Sequence, residues 1–399
     1  MTTTVATLPK PRDVLGTFGL YVHIPFCAHR CWYCDFNAYA GLDELVDAYM
    51  DALVLDAARG LSAPSGADLD ERPVVTSVFI GGGTPSLVDA RHIEGLMDAI
   101  PGSWPVAPGA EVTIECNPES VDAGKLERYL HAGVNRVSFG VQSLNDELLK
   151  RLGRTHDAAT ALDALQTAKT AGFTEVNADL IFGVPGESEA TWRASLEGVM
   201  GCEPSHVSCY ALTYEEGTPL AAWRRLGKVD PMADDDVAAQ WELAEVLLGE
   251  AGLHRYEISN WARPGSACRH NDLYWTCGEY IGIGAGAHSH LATDDASIRS
   301  WVVKSPERYV RYVNDGNRPV AGSEAVDVRT RASETMVLGL RRTQGVTDEQ
   351  FRDVVGAGLD EVFGAELARA RDRGLVSWDG TSVRLLRPLL GDEAALLFA

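Results

Sequence analysis

No stretch of this chain approaches the roughly 18 consecutive apolar residues that a membrane-spanning helix requires, so no integral membrane segment is expected. Positive charge is scarce. Lys and Arg number 35 against 57 Asp and Glu, a formal net charge of -22. A surface that acidic repels a phosphate backbone, which argues against nucleic acid as a partner. Eight cysteines in 399 residues are too few for a disulfide framework. The opening MTTTVATLPKPRDVLG has neither an apolar core nor a cleavage pattern. It is expected to be a disordered tail over 1–17 rather than a secretory signal, which makes the cytoplasm the expected location. Hydrophobic residues at 45% and charged residues at 23% are ordinary for a globular chain and rule out wholesale disorder. At about 150 residues per domain, the length suggests two or three domains.

Between 18 and 253, short apolar runs alternate with amphipathic stretches. The runs are GLYVHI, VVTSVFI, EVTIE, RVSFGVQ, EVNADLIFGV and HVSCYALTY, and helical patterns such as 45–58, 90–100, 122–132, 158–171, 189–200 and 237–251 lie between them. Apolar strands separated by helices predict an α/β fold with a parallel sheet. Six β–α units fit an incomplete (β/α)6 TIM-like barrel, with a doubly wound sheet as the alternative. The stretch 63–72 reads as a surface loop, and 254–330 as a connecting region with a helix near Pro306–Val313. The rest, 331–399, reads as a small C-terminal α+β domain with a winged-helix outline. In it Thr347 and Gln350 make a capping box, Gly374 is placed to end a helix, and Asp379-Gly380 forms a hairpin turn. Between Arg341 and Leu390 eight arginines face eight acids, which leaves no basic face for DNA. A structural or docking role is the better reading of this domain.

The segment YVHIPFCAHRCWYCDF places Cys27, Cys31 and Cys34 in C-x₃-C-x₂-C order directly after the first strand. Three thiolates can hold three irons of a [4Fe–4S] cubane and leave the fourth iron open. The alternative is zinc, which in structural sites takes four protein ligands, with His23, His29 or a remote cysteine as the fourth. This spacing, with an aromatic before the last cysteine, resembles the radical S-adenosylmethionine (SAM) superfamily. There the open iron chelates the amino and carboxylate groups of SAM.

Active sites on parallel barrels are built at the C-terminal ends of the strands. Polar and glycine-rich positions recur there. Gly81-Gly82-Gly83-Thr84-Pro85 follows the second run, and consecutive glycines let the backbone approach a ligand closely. Glu115, Gln142, Arg154 and Asp179 follow on later units. Taken singly, each could be a solvated or internally satisfied polar group. Together they would line one mouth, with the arginine able to grip a carboxylate and the others amine or hydroxyl groups.

The motifs YVHIPFC…CDF, GGGTP, ECNPE, SFGVQS, LGR, ADLIFGVPG and HNDLYW together resemble the oxygen-independent coproporphyrinogen III oxidase family, and within it the haem-chaperone (HemW-like) branch. The resemblance covers about 21–275. It implies that Tyr21, Gly82, Gly83, Thr84, Glu115, Gln142, Arg154 and Asp179 contact SAM, and that Cys27, Cys31 and Cys34 hold the cluster. It leaves two functions to separate: oxidative decarboxylation of porphyrinogen propionates, or carriage of haem to acceptor haem proteins, respiratory ones among them. The oxidase branch carries a further cysteine two residues after the third, where this chain has Phe36, and a longer N-terminal extension. The HNDLYW segment resembles the chaperone branch's H-N-x-x-Y-W. These departures favour the haem carrier, and no coproporphyrinogen oxidase activity is expected. A third reading keeps radical SAM chemistry on another substrate.

His270 is the expected haem ligand, with Tyr274, Cys268, His288 and His290 as rivals. The competing reading makes His270 a satisfied buried histidine and Tyr274 and Trp275 core aromatics. A cluster- or haem-dependent homodimer is left open.

Overall fold

Leu20, Val22 and Ile24 alternate with Tyr21 and His23 along the first strand, and this alternation decides the architecture. The structure is a computed structural model that describes residues 17–63, 73–293 and 297–399. The expected tail lies outside these residues except for Thr17, and the expected loop over 63–72 lies outside them except for Ala63. Six strands follow in chain order: β1 (Phe18–Ile24), β2 (Val75–Gly82), β3 (Val106–Cys116), β4 (Arg136–Gln142), β5 (Glu175–Phe182) and β6 (His206–Ala211). Each pairs in parallel with the next.

One face of this series is apolar. Val112 and Ile114, Val137, Phe139 and Val141, and Val176, Ala178, Leu180 and Phe182 share a core with Leu96, Leu126, Leu165 and Leu196 of the intervening helices. Those helices start at Asp89, Asp122, Asp157 and Ser188, whose side chains each accept a backbone N–H of the first turn. The other face is polar and carries Thr113, Glu115, Ser138, Asn177, Asp179 and Ser208. The apolar runs of the sequence are therefore alternating strands, with one apolar face and one polar face that is itself largely buried.

The chain beyond 254 continues the same sheet. β7 (His254–Arg255) and β8 (Asn260–Ala262) add antiparallel strands outside β6, while β9 (Glu279–Ile283) runs parallel to β1 on its free edge. Antiparallel β10 (His288–Ala292), β11 (Ser297–Val302) and β12 (Val320–Val326) follow. Among the described residues this gives a twelve-stranded sheet in the order β12-β11-β10-β9-β1-β2-β3-β4-β5-β6-β8-β7.

After 326, helices Val328–Gly339, Asp348–Val355 and Leu359–Asp372 pack with a three-stranded antiparallel sheet around a second core containing Met336, Phe351, Phe363 and Phe398. The Thr347–Gln350 capping box forms as the sequence suggests. Asp379 accepts the backbone N–H groups of Thr381 and Ser382 at the hairpin, where Gly380 takes a φ of 89°. This unit docks on the short helix Arg269–Trp275. Arg342 holds Asp272 through two hydrogen bonds of 2.7 and 3.2 Å, and the Arg341 guanidinium lies 4.6 Å from the Trp275 ring centre.

Candidate functional site

The chain leaves β1 at Pro25 and enters the cysteine loop, which is stitched to the end of β2 by backbone bonds. Gly83 N–H donates to Ile24 O at 2.9 Å and Thr84 N–H to Phe26 O at 2.8 Å. Only glycine fits this seam. A Cβ on Gly83 would lie 2.6 Å from Phe26 O and 3.0 Å from Cys27 Sγ, and Gly82 takes a φ of +123°. Thr84 Oγ1 in turn donates to Cys27 Sγ at 3.5 Å.

Cys27, Cys31 and Cys34 are free and half-buried. Burial raises the Cys27 thiol above its usual pKa, with the Thr84 bond opposing and the Cys31 thiol adding to the rise. Burial likewise raises Cys34, and Cys31 and Cys27 contribute. The three sulfurs thus lie within each other's field, in a loop that glycines allow the backbone to approach. Among the described residues, no three His, Cys, Asp or Glu side chains are gathered as a single-ion site. The donor set, three half-buried thiols on one loop, fits a multi-iron cluster held at separate corners.

Arg154 closes one side. Its guanidinium donates to Cys31 Sγ at 3.5 Å, to Asn117 Oδ1 at 2.8 Å and to Gly140 O at 2.9 Å. Its Nε is buried without a hydrogen-bond partner, a donor left over for an acceptor from outside. Gln142 ends β4 with a φ of 66°, rare for a residue with a side chain, at a point where the β4–β5 register shifts. The Gly140 position beside it has no room for a Cβ, which would lie 2.8 Å from Gln142 Nε2.

Glu115 accepts the Gly82 N–H at 3.0 Å. Burial, with the Asp179 charge adding, pushes its pKa up to about 7. Asp179 is also raised by burial, although Ser138 Oγ and Asn177 Nδ2 each donate to it at 2.8 Å. Tyr21 stacks on Phe79 at 6.3 Å between ring centres and shares a 2.9 Å hydrogen bond with His23. A cavity of about 290 Å³ opens here, lined by Tyr21, Gly82 and Glu115 of β1–β3, by Tyr280 and His288 of β9 and β10, by Phe36 after the cysteines and by Tyr274 of the helix Arg269–Trp275. The eight positions expected to contact SAM therefore surround the cysteine loop and the polar face above it. Asn117, which the sequence reading did not single out, joins them: it lies two residues after Glu115 in ECNPE and orients Arg154.

His270 lies elsewhere. It is fully buried, its ring nitrogens share hydrogen bonds with Ser77 Oγ at 2.9 Å and Tyr274 OH at 3.0 Å, and burial lowers its pKa to about 3. Ser77 stands five residues before Gly82 on β2, roughly 16 Å along the strand at about 3.3 Å per residue. Its helix is held by Glu111, whose carboxylate accepts the N–H groups of Arg269 and His270, both at 3.0 Å. His270 plugs the end of the sheet away from the cysteines. In this structure both of its ring nitrogens are hydrogen-bonded and the side chain is fully covered.

A model of the radical SAM superfamily matches residues 21–197, and a model of the HemN C-terminal domain matches 326–387. The chain is 40% identical over 329 residues to the heme chaperone HemW of Mycobacterium tuberculosis (strain ATCC 25618 / H37Rv), covering 82% of this chain and 83% of the relative. It is 33% identical over 376 residues to the heme chaperone HemW of Bacillus subtilis (strain 168), covering 94% and 97%. Among solved structures, the coproporphyrinogen III oxidase HemN of Escherichia coli, a radical SAM enzyme, superimposes with a TM-score of 0.80 at 22% identity, covering 98% of this chain and 91% of that one. The last likeness establishes a shared α/β radical-SAM fold. Among the described residues no helix is long and apolar enough to cross a membrane.

Proposed function

This chain belongs to the HemW family of radical SAM haem chaperones, and we propose on that footing that it binds haem and passes it to acceptor haem proteins rather than oxidising a porphyrinogen. The six parallel strands are read as an incomplete (β/α)6 barrel over 18–253, extended by 254–330, with 331–399 as an appended winged-helix-like unit and the cytoplasm as the place of action. Cys27, Cys31 and Cys34 would hold a [4Fe–4S] cluster. When bound, such a cluster supplies an open iron for the amino and carboxylate groups of SAM and a source of one electron.

The chain's own groups prepare that mouth. Arg154 brings a buried positive charge and a spare N–H to the sulfurs, suited to a carboxylate. Glu115 and Asp179 offer acceptors for an ammonium or for hydroxyls. Gly82 and Gly83 keep side chains out of the space where a flat ligand approaches the backbone. One observation carries the choice of carrier over oxidase: where a fourth thiol would stand, the loop presents Phe36, a phenyl ring 61% exposed at the cavity. An apolar ring held in water at a binding cavity suits the reception of a large apolar plate.

The test is anaerobic reconstitution of the full chain, with iron, sulfide and haem quantified on one sample, then haem transfer to an apo-haem protein followed by absorbance. Stoichiometric haem uptake and transfer support the reading. Decarboxylation of coproporphyrinogen in the presence of reductant and SAM would overturn it in favour of the oxidase.

A further inference from the structure

An iron ligand for a haem that is to be handed on must have a free lone pair and must stand at an open surface. The side chains with suitable chemistry near the cavity can be tested one by one. His270 is buried with both nitrogens engaged. Tyr274 spends its hydroxyl on His270. His23 shares Nδ1 with Tyr21 and Nε2 with Asn37 O at 3.0 Å. Cys268 is buried and donates to Glu111 at 3.3 Å. His290 is buried and engages Gly278 O at 2.9 Å.

His288 differs on every count. It is exposed, lines the cavity, and its ring makes no hydrogen bond among the described residues. Its surroundings match the rest of a haem. Phe36 and Tyr280 share the cavity wall and supply apolar ring faces. Phe36 is kept there by its neighbour Asn37, whose Nδ2 donates to Ala285 O at 2.9 Å and to Lys304 O at 3.1 Å, in the segments that lead into β10 and out of β11. Gly286 makes this possible, since a Cβ there would stand 2.5 Å from Asn37 Nδ2. Two cations lie close enough for their charges to act on His288, which burial first and then Lys304 and Arg299 hold below its ordinary pKa. Arg299 is committed to Glu324 and Glu334, whereas the Lys304 ammonium makes no ion pair among the described residues. The cavity, about 290 Å³, is at the low end of the roughly 300–1,000 Å³ range of small-molecule sites. Tyr21, Gly82 and Glu115 on its far wall are positions expected to contact SAM, so only the part beside Phe36, Tyr280 and His288 would take the edge of a porphyrin, with the remainder left in reach of an acceptor.

We propose that His288 is the iron ligand of the haem cargo, with Phe36 supplying the apolar contact and Lys304 the cation for a propionate. This rests on the haem-carrier reading and specifies its site. The experiment titrates ferric haem b into the full-length protein and its variants, recording the Soret band, EPR and resonance Raman spectra. His288→Ala is expected to lose the nitrogen-ligand signature and to weaken binding at least about tenfold. Added imidazole is expected to restore the wild-type spectrum to that variant. His288→Met, which keeps a ligand of different softness, is expected to shift the spectrum instead of abolishing it. His270→Gln is expected to retain the wild-type spectrum. A His288→Ala protein that binds haem with an unchanged spectrum overturns the assignment while leaving the carrier reading intact, and so does loss of the signature in His270→Gln alone. A wild-type protein that takes up no haem defeats the carrier reading itself.

Discussion

Arg154 and Cys31 belong to different units of the sheet, yet the guanidinium reaches the sulfur at 3.5 Å while two further bonds anchor it to Asn117 and Gly140. The arginine is thus held in place by the fold before any ligand arrives, and its function is separable from that of the thiols.

Arg154→Ala is therefore expected to retain the iron content of the wild type after anaerobic reconstitution and to bind SAM more weakly. A charged hydrogen bond contributes about 1.5–3 kcal/mol, or roughly 10–100-fold in affinity. Isothermal titration on the reconstituted protein checks this, with Cys31→Ala as the contrasting variant that loses the cluster itself.

Glu115 should give the site a pH dependence. Its pKa in the fold is raised from 4.5 to about 7, so the protonated form is favoured in the folded state. The resulting stability is fully present below about 4.5 and lost as pH rises through about 7. Thermal melts should show Glu115→Gln gaining on the wild type at pH 8 and not at pH 4. Affinity for a cationic amine should move the other way, rising in the wild type as the carboxylate ionises through pH 7, and Glu115→Gln should flatten that profile.

Gly83→Ala places a methyl group against the backbone of Pro25 and Phe26 and the sulfur of Cys27. Overpacking of this kind costs about 1–3 kcal/mol. The expected result is a lower melting temperature together with a reduced iron-to-protein ratio, because the backbone that must yield is the one that aims Cys27. Full iron loading in a destabilised Gly83→Ala would separate the two effects and count against the seam as the positioning device.

The contact between Asp272 and Arg342 should measure as a docking interaction. Arg342 is largely covered and Asp272 partly exposed, with side-chain exposures of 10% and 40%, so solvent screens the pair. A double-mutant cycle with Asp272→Asn and Arg342→Gln is expected to give a coupling of about 1 kcal/mol or less. Limited proteolysis of the double variant should cut near 326–345 sooner than in the wild type.

Much of the mouth was legible in the sequence because its residue types are costly to place anywhere else. Three clustered thiols, a triple glycine and a Glu, Gln or Asp after successive apolar runs have few structural uses, and the fold gathers them. The terminal unit was legible at its caps and turn, where Thr347, Gln350 and Asp379 act through local hydrogen bonds that need no tertiary context. His270 is the opposite case. Its role depends on Ser77 and Glu111, each more than 150 positions earlier, and nothing local distinguishes a histidine sealed by such partners from one left open. His288 gives no stronger local signal than His290 beside it. The two stand two residues apart on β10 and therefore on one face, and only tertiary cover tells them apart: His290 is buried and bonded to Gly278 O, whereas His288 is exposed. The polar side of the sheet was obscured because residues such as Ser138 and Asn177 sit singly among larger apolar neighbours, so the runs read as continuous.

The strand that feeds the cysteine loop gains its outer partner only from Glu279–Ile283, about 260 positions further along the chain. At the roughly 5–20 residues per second of protein synthesis, that partner emerges some 10–50 s after the thiols do. During this interval the nascent chain presents three sulfhydryls on a ribbon with one uncovered flank. Oxygen and thiol-reactive compounds thus have their greatest opportunity while the polypeptide is still being made.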